Sequence, residues 1–347
     1  MTILECKGRH QPIIHKRSLY PAWETERLNV FSPGFQPKLH NYDREPWPSR
    51  WLTESWDSLV SLIIEPSSLR DPIPLVSRAP NLRLLSCSFH GRYMEEKEVN
   101  ALLLHPQLER LTHLSLHLGQ RQLSVPMVKL TLPSLRFLQL DFKWSLLDPA
   151  RITQEPELIP WTLPALSTLS LHGYVNERVF SLLEPFLFRH SSTIVNVLCA
   201  LGSTRQYSIL RYFNKLQMYV ISTAWVMTSR YEDDIVPSSH QMQYQPLTLL
   251  LMDPHLPSHQ DVNWLKPAPK SFVEKIISVS RYRVTRVMLD RPWNHIRSDI
   301  ETRGEFAADF RFKLMVFLTE FQELDVAVVD LHGVEMPRNM ENWLDAH

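Results

Sequence analysis

The chain has 347 residues, 44% of them hydrophobic and 21% charged, which excludes a disordered or fibrous protein. Its 37 Lys and Arg residues balance 37 Asp and Glu residues, so the bulk charge offers none of the attraction on which sequence-independent nucleic-acid binding depends. Only 8 glycines occur beside 26 prolines, a composition that argues against phosphate-cradling loops and suits short, punctuated units.

Cysteine usage and hydropathy bear on the compartment. The three cysteines, Cys6, Cys87 and Cys199, have neither metal-ligand spacing nor the even count of a disulfide framework. The first ten residues lack the apolar core of a signal peptide, and no apolar window is long enough to span a bilayer. We therefore expect a chain without membrane segments in a reducing compartment, either the cytoplasm or the nucleus.

The first fifty residues contain no repeat. Proline, histidine and aromatic residues occur in them without periodicity. Because a solenoid needs a cap over its first open edge, we interpret residues 1–50 as an N-terminal cap or a loosely ordered arm, and residues 51–347 as the repeat domain.

Short leucine-rich segments recur from residue 59 onwards. Two of them, Pro133-Ser-Leu-Arg-Phe-Leu-Gln-Leu140 and Pro164-Ala-Leu-Ser-Thr-Leu-Ser-Leu171, share the pattern Pro-x-Leu-x-x-Leu-x-Leu. The middle apolar residues of six such segments, used as markers, are Leu62, Leu85, Leu114, Leu138, Leu169 and Val197. Their intervals of 23, 29, 24, 31 and 28 residues are close to the period of a leucine-rich repeat, about 20 to 29 residues.

The pattern has a simple physical meaning. The last two leucines of each segment are two residues apart, so on a short strand they point to the same side. One strand cannot bury them alone, whereas stacked strands join them into a continuous core. Helices are expected between the strands, over 94–104 and 176–183, where polar residues precede apolar ones. The sequence therefore predicts an α/β leucine-rich-repeat solenoid with a curved parallel inner sheet and helices outside.

The repeat continues less regularly after residue 200. Candidate markers are Leu216, Leu250, Val287 and Leu324, although 213–226 also reads as one long strand. An amphipathic helix is predicted over 306–321. With these segments the solenoid has about nine rungs.

Residues beside the inward leucines form columns on the opposite face of the sheet, with neighbouring strands about 4.8 Å apart. The third column reads Ser88, His117, Asp141 and His172. We interpret this concave face as a partner-binding surface whose contact residues are His113, His117, Phe137, Asp141, Lys143, Trp144 and His172. Cys87 and Cys199 occupy inward positions, where cysteine behaves as a small hydrophobe.

The proline-led Leu-x-x-Leu-x-Leu segments, with helices of irregular length and tryptophans in the loops, resemble the leucine-rich-repeat proteins of mushroom-type (basidiomycete) fungi. Many of those are F-box proteins, in which the repeats select a substrate for a cullin-type ubiquitin ligase. The resemblance covers about residues 51–330 and implies a substrate receptor that docks on a Skp-type adaptor. The helical Leu-Pro-x-Glu-type opening of an F-box is not visible in residues 1–50.

A search for catalytic motifs points away from an enzyme. The glycine spacing excludes a P-loop and a Gly-x-Gly-x-x-Gly fingerprint, and neither His-Glu-x-x-His nor Gly-x-Ser-x-Gly occurs. We therefore predict a non-enzymatic recognition protein without a cofactor or resident metal. The alternative is a metal-binding protein or an enzyme that uses the row of His117, Asp141 and His172, since imidazole and carboxylate groups are typical metal ligands.

Overall fold

The computed structural model describes residues 2–6, 13–16, 59–64, 73–88, 96–118, 128–142, 159–173, 177–201, 208–222, 244–252, 272–274, 276–277, 280–301 and 307–336. The chain divides into two compact units, Met1–His190 and Ser191–His347. Each unit is built mainly on parallel β-strands, with helical segments in the described connections between some of them, in agreement with the predicted α/β class.

The described strands of the first unit are β1 (Thr2–Cys6), β2 (Ile13–Lys16), β3 (Leu59–Ile64), β4 (Leu84–Ser88), β5 (His113–Leu118), β6 (Leu130–Thr131), β7 (Phe137–Phe142), β8 (Trp161–Thr162) and β9 (Thr168–Gly173). The main sheet has the order β2-β1-β3-β4-β5-β7-β9, and its pairs are parallel except for β1 with β2. The short strands β6 and β8 pair separately. Strand β1 thus lies along β3, at the edge where the sequence predicts a cap.

The repeat markers of the first unit form one continuous row across the sheet. Successive pairing partners in this row are Leu62, Leu85, Leu114, Leu138 and Leu169. All of these side chains are fully buried. A second inward row, two residues further along each strand, exposes 1% or less of each side chain and consists of Cys87, Leu116, Leu140 and Leu171. The predicted strand register is confirmed in this unit.

Successive repeats enter their strands through the same turn. The amide of Leu135 donates to the carbonyl oxygen of Leu132 at 3.3 Å, and the amide of Leu166 donates to that of Leu163 at 3.1 Å. Proline occupies the second position of both turns, where its fixed φ suits the backbone. The recurring proline of the sequence pattern therefore stabilises the entry of the chain into each strand.

The described helices of the first unit are α1 (Ile73–Ser77), α2 (Glu96–Leu103) and α3 (Glu177–Arg189), with a 3₁₀-helix at Pro106–Arg110. Helices α2 and α3 confirm the predictions over 94–104 and 176–183. Helix α3 continues further than predicted and contains Pro185. Both helices bury apolar side chains, among them Leu102, Leu103, Phe180, Leu183, Phe186 and Leu187.

The described strands of the second unit are β10 (Asn196–Leu201), β11 (Met218–Ser222), β12 (Gln245–Met252), β13 (Tyr282–Leu289) and β14 (Ala327–Val329), paired in that order and all parallel. The described helices include α4 (Trp293–Glu301) and α5 (Ala307–Glu323), with a 3₁₀-helix at Ser208–Tyr212. Residues 272–274 and 276–277 are also helical. Helix α5 confirms the helix predicted over 306–321. The row of residues that begins at Val197 continues through Tyr219, Leu249, Val287 and Val328.

Among the markers predicted after residue 200, Val287 is correct and Leu216 is wrong. Leu216 is buried three residues before Tyr219, so it occupies the place of the first leucine of a repeat, and Tyr219 is the inward strand residue. The interpretation of 213–226 as one long strand is also wrong, since β11 begins only at Met218, after a 3₁₀-helix that ends at Tyr212.

The prediction of Leu250 as a marker is wrong by one residue. Leu249 lies in the inward row, and Leu250 belongs to the opposite face, on which Leu198, Val220 and Leu250 form a row of their own. These three side chains nevertheless expose only 5%, 6% and 4% of their surface. A parallel sheet buried on both faces reads as a continuous apolar run, and alternation then cannot determine its register.

The prediction of Leu324 as a marker is wrong because a helix terminus occupies that position. Asp325 adopts a φ of 60°, and its amide donates to Gln322 while the amide of Val326 donates to Phe321. These two hydrogen bonds close a Schellman motif at the end of α5. The strand therefore begins after this turn, and its row residue is Val328.

Gly173 ends β9 opposite Phe142, beside the third column of outward residues. It adopts a φ of 97°, and a Cβ atom at this position would clash with the carbonyl oxygen of Phe142. Only glycine accommodates both the backbone conformation and the close approach.

We predict that Gly173→Ala lowers the free energy of unfolding by about 2 kcal/mol or more, because the positive φ alone costs roughly 1 to 2 kcal/mol and the clash adds to it. Gly333→Ala is the matched control, since Gly333 has a φ of 78° but a Cβ there meets nothing within 4 Å. Urea denaturation midpoints of both variants measure the difference. Equal losses of stability would show that the contact with Phe142 is not close.

Candidate functional site

The outward residues of β4, β5, β7 and β9 form three columns, which we call the strand face. In register, these are Leu84, Ser86, Ser88, His113, Ser115, His117, Phe137, Gln139, Asp141, Thr168, Ser170 and His172. Ten of these side chains are partly exposed, whereas Ser170 is fully buried, contrary to its predicted place on an open surface. The strand face brings together five residues of the predicted site: His113, His117, Phe137, Asp141 and His172. The other two, Lys143 and Trp144, lie outside the described residues.

The first column carries an aromatic pair. Phe137 stacks on His113 of the neighbouring strand, with ring centroids 5.7 Å apart and ring planes inclined by 29°. Thr112 Oγ1 lies 2.8 Å from His113 Nδ1 and helps to orient the imidazole. Such a partly exposed, rigid aromatic surface is typical of anchors in protein interfaces.

The second column is polar and uncharged, with Ser86, Ser115, Gln139 and Ser170 on successive strands. Two of these serines contact the histidine two residues later. Ser115 Oγ lies 3.5 Å from His117 Nε2, and Ser170 Oγ lies 2.7 Å from His172 Nε2. Sequence reasoning missed both contacts, although the repeated Ser-x-His spacing on one face was a usable signal.

The third column contains a contact between an imidazole and a carboxylate. His117 and Asp141 are directly opposite each other on β5 and β7, and His117 Nδ1 lies 2.9 Å from Asp141 Oδ2. The two side chains expose 27% and 13% of their surface. Partial burial of this kind strengthens the contact relative to one in bulk water.

His172, on β9, is the pairing partner of Asp141 on the neighbouring strand β7. Burial lowers the pKa of His172 below its ordinary value of 6.5, while the Asp141 carboxylate raises it and the charge of His117 lowers it. Burial is the largest of these effects, so the fold favours the neutral form of the His172 imidazole.

Among the described residues, which include His117, Asp141 and His172, no group of three or more His, Cys, Asp or Glu side chains is arranged to hold a metal ion. The metal-binding alternative therefore finds no support in the arrangement of these three residues.

Cys87 and Cys199 are buried, at the inward positions predicted for them. Burial raises the pKa of the Cys87 thiol far above its ordinary range. This thiol therefore remains protonated and packs as a small apolar group. The side chain of Cys6 lies outside the described part of the structure.

The second unit contains a cleft that sequence reasoning missed. It has a volume of about 440 Å³ and is lined by Asp290, Arg291, Pro292, His295, Ser298, Leu331 and His332. The buried Asp330 carboxylate accepts hydrogen bonds from the amides of Trp293, His332 and Val334 at 3.3, 2.9 and 2.9 Å. Asp330 therefore connects the loop after β14 to the start of α4 through hydrogen bonds, and its role is structural.

No protein-family model, curated protein or solved structure matches this chain. In the described part of the structure, no helix has the length and apolar character needed to cross a membrane.

We predict that His172→Gln flattens the dependence of stability on pH in mild acid. Because the folded state lowers the pKa of His172, the unfolded chain takes up the proton first as the pH falls below 6.5. The contribution of His172 to the free energy of unfolding is therefore fully present above pH 6.5, and it is lost as the pH falls towards the folded-state pKa. Urea midpoints measured from about pH 8 to about pH 5 should fall more steeply for the unmodified chain than for the variant. Ser86→Ala, which alters the same face without a titratable group, should keep the steeper slope, and equal slopes for His172→Gln would contradict the assignment.

We also predict that Cys87 and Cys199 resist a thiol reagent in the folded chain and react once urea unfolds it, because neither side chain is accessible. Peptide mapping by mass spectrometry distinguishes them from Cys6. Rapid labelling of either cysteine without denaturant would contradict the inward placement of the row.

Proposed function

We propose that the strand face of the first unit binds another protein and that the chain is a leucine-rich-repeat recognition module. The observation that carries this proposal is the difference between the two sides of the sheet. One side consists of buried leucines and Cys87. The other presents the strand face, most of whose described residues are partly exposed, and its twelve residues include a single carboxylate, Asp141, and no Lys or Arg.

The composition of the strand face supports a protein partner. The stacked pair of His113 and Phe137 supplies aromatic surface, while Ser115, Gln139 and the imidazoles supply hydrogen-bonding groups. Depletion of charge combined with aromatic residues is characteristic of the centre of protein interfaces. Because the side chains stand on paired strands, they lose little further conformational freedom when a partner binds.

The finer assignment depends on the resemblance to fungal F-box proteins. It makes the chain a substrate receptor for a cullin-type ubiquitin ligase in the cytoplasm or nucleus, with the strand face selecting the substrate. A Skp-type adaptor would then bind elsewhere on the chain. Most of residues 1–50, where an F-box would precede the repeats, lies outside the described residues.

The test is affinity capture of the tagged chain from native cell extract, with quantitative mass spectrometry. We expect the double substitution His113→Ala, Phe137→Ala to reduce recovery of a specific partner about tenfold or more, since one aromatic anchor commonly contributes over 1 kcal/mol. Phe188→Ala is the control, because Phe188 lies on α3 and is 74% exposed. Circular dichroism confirms that each variant is folded.

Equal recovery of every partner by the unmodified chain, the double variant and Phe188→Ala would exclude the strand face as the binding surface. Recovery of a Skp-type adaptor together with a cullin would support the ubiquitin-ligase assignment. Recovery of other partners without that machinery would leave a recognition module and exclude the F-box interpretation.

A further inference from the structure

Three side chains of the strand face form one continuous chain of contacts. Ser115 Oγ lies 3.5 Å from His117 Nε2, and the other nitrogen of the same ring, Nδ1, lies 2.9 Å from Asp141 Oδ2. Hydroxyl, imidazole and carboxylate therefore follow one another through opposite nitrogens of one ring. This connectivity is the one by which a serine becomes a nucleophile.

The contact with Asp141 determines which nitrogen of the His117 imidazole carries the hydrogen. An ionised carboxylate only accepts hydrogen bonds, so Nδ1 of His117 carries the hydrogen. In the neutral ring the lone pair then lies on Nε2, which faces the Ser115 hydroxyl. His117 is thereby oriented as a base towards Ser115, and the distance of 3.5 Å is within the looser geometry of sites without substrate.

Exposure distinguishes this group from the similar pair on β9. Ser115 is partly exposed, whereas Ser170 is fully buried and a reagent from solution cannot reach it. The structure shows His172 bonded to Ser170 through Nε2, and its neighbour Asp141 is bonded to His117. The strand face thus contains two Ser-x-His pairs, of which only the pair on β5 has an accessible hydroxyl.

We propose that Ser115 is a nucleophile activated by His117 and positioned through Asp141, and that it reacts with small uncharged esters. This activity would be separate from partner binding. Ser86 and Gln139 flank Ser115 on the neighbouring strands and carry no charge, which suits an uncharged substrate.

The reaction balances within this group of residues. Ser115 Oγ bonds to the ester carbonyl carbon as its proton passes to His117 Nε2, and the Asp141 carboxylate stabilises the imidazolium. When the tetrahedral adduct collapses, its bond to the alcohol oxygen breaks, and the departing alcohol takes the proton from Nε2. An acyl group then remains on Ser115. Water, deprotonated by the same imidazole, bonds to the acyl carbon, and the bond from that carbon to Ser115 Oγ breaks as Oγ takes the proton back from Nε2, which releases the acid.

The sheet limits both halves of this reaction, because each passes through a tetrahedral oxyanion. Backbone amides along paired parallel strands are used in the ladder, so they are not free to stabilise an oxyanion beside Ser115. We therefore expect acylation of Ser115 and release of the acyl group both to be slow, and ester turnover to be weak.

A fluorophosphonate reagent tests the nucleophile directly, because the serine oxygen bonds to phosphorus and fluoride departs with the proton. The full chain is incubated with the reagent, and peptide mapping locates the adduct. We expect one adduct, on Ser115, and none on Ser170. Ser115→Ala should abolish it, and His117→Gln should slow its formation roughly a hundredfold, a usual size for general-base assistance.

Asp141→Asn tests the positioning role, with Asp141→Glu as the conservative variant. We expect Asp141→Asn to slow labelling at least tenfold and to remove the low-field proton NMR signal of His117 Nδ1–H, and Asp141→Glu to restore part of both. Phe188→Ala, at an exposed position on α3 outside the strand face, should label at the unmodified rate. Circular dichroism of each variant shows whether the chain is folded, so that a slower labelling rate can be assigned to the tautomer of His117 and not to unfolding.

Absence of an adduct on Ser115, or a labelling rate that His117→Gln and Asp141→Asn leave unchanged in folded chains, would overturn the proposal. Either result would leave the strand face free to act in partner binding, which the capture experiment tests through His113 and Phe137.

Discussion

Burial of the stacked leucines is the constraint on which the first unit depends. Leu114 and Leu116 project from the same side of one short strand, which offers them nothing to pack against. Neighbouring parallel strands in register supply that contact through Leu138 and Leu140. A fully buried leucine contributes roughly 1.5 to 3 kcal/mol, so two rows across the sheet outweigh any polar contact on its outer side.

The polar geometry of the strand face follows from this packing. A partly exposed contact such as that between His117 and Asp141 contributes about 1 kcal/mol, which is too little to select a strand register. The pairing of Leu114 with Leu138 selects it and places His117 opposite Asp141 as a consequence. A slip by one residue would turn the leucines outward and separate the two side chains.

Sequence periodicity was sufficient to predict the inward row of residues where the two faces of the sheet differ in polarity. In the first unit, serine, glutamine and histidine alternate with leucine, so the inward row was predictable from Leu62 to Leu169. In the second unit, strands such as β12 are apolar on both faces, and the predicted row was misplaced at Leu250. The strands β6 and β8 have two residues each, too few for any periodic signal.

The contacts within the strand face were only partly predictable. Counting residues from the leucine markers placed His117, Asp141 and His172 in register on adjacent strands, because strand register depends on the backbone alone. The hydrogen bonds of Ser115 and Ser170 depend on side-chain rotamers, which periodicity does not determine. Burial of Ser170 and the cleft beside α4 likewise arise from tertiary packing.

Methyl NMR tests the strand register most directly. With leucine methyl groups labelled, the account predicts nuclear Overhauser contacts between successive members of the row Leu62, Leu85, Leu114, Leu138 and Leu169. It also predicts a parallel series in the second row, between Leu116, Leu140 and Leu171. Strong contacts between Leu114 and Leu140 in place of those between Leu114 and Leu138 would show a slipped register, and the arrangement of the strand face would then be wrong.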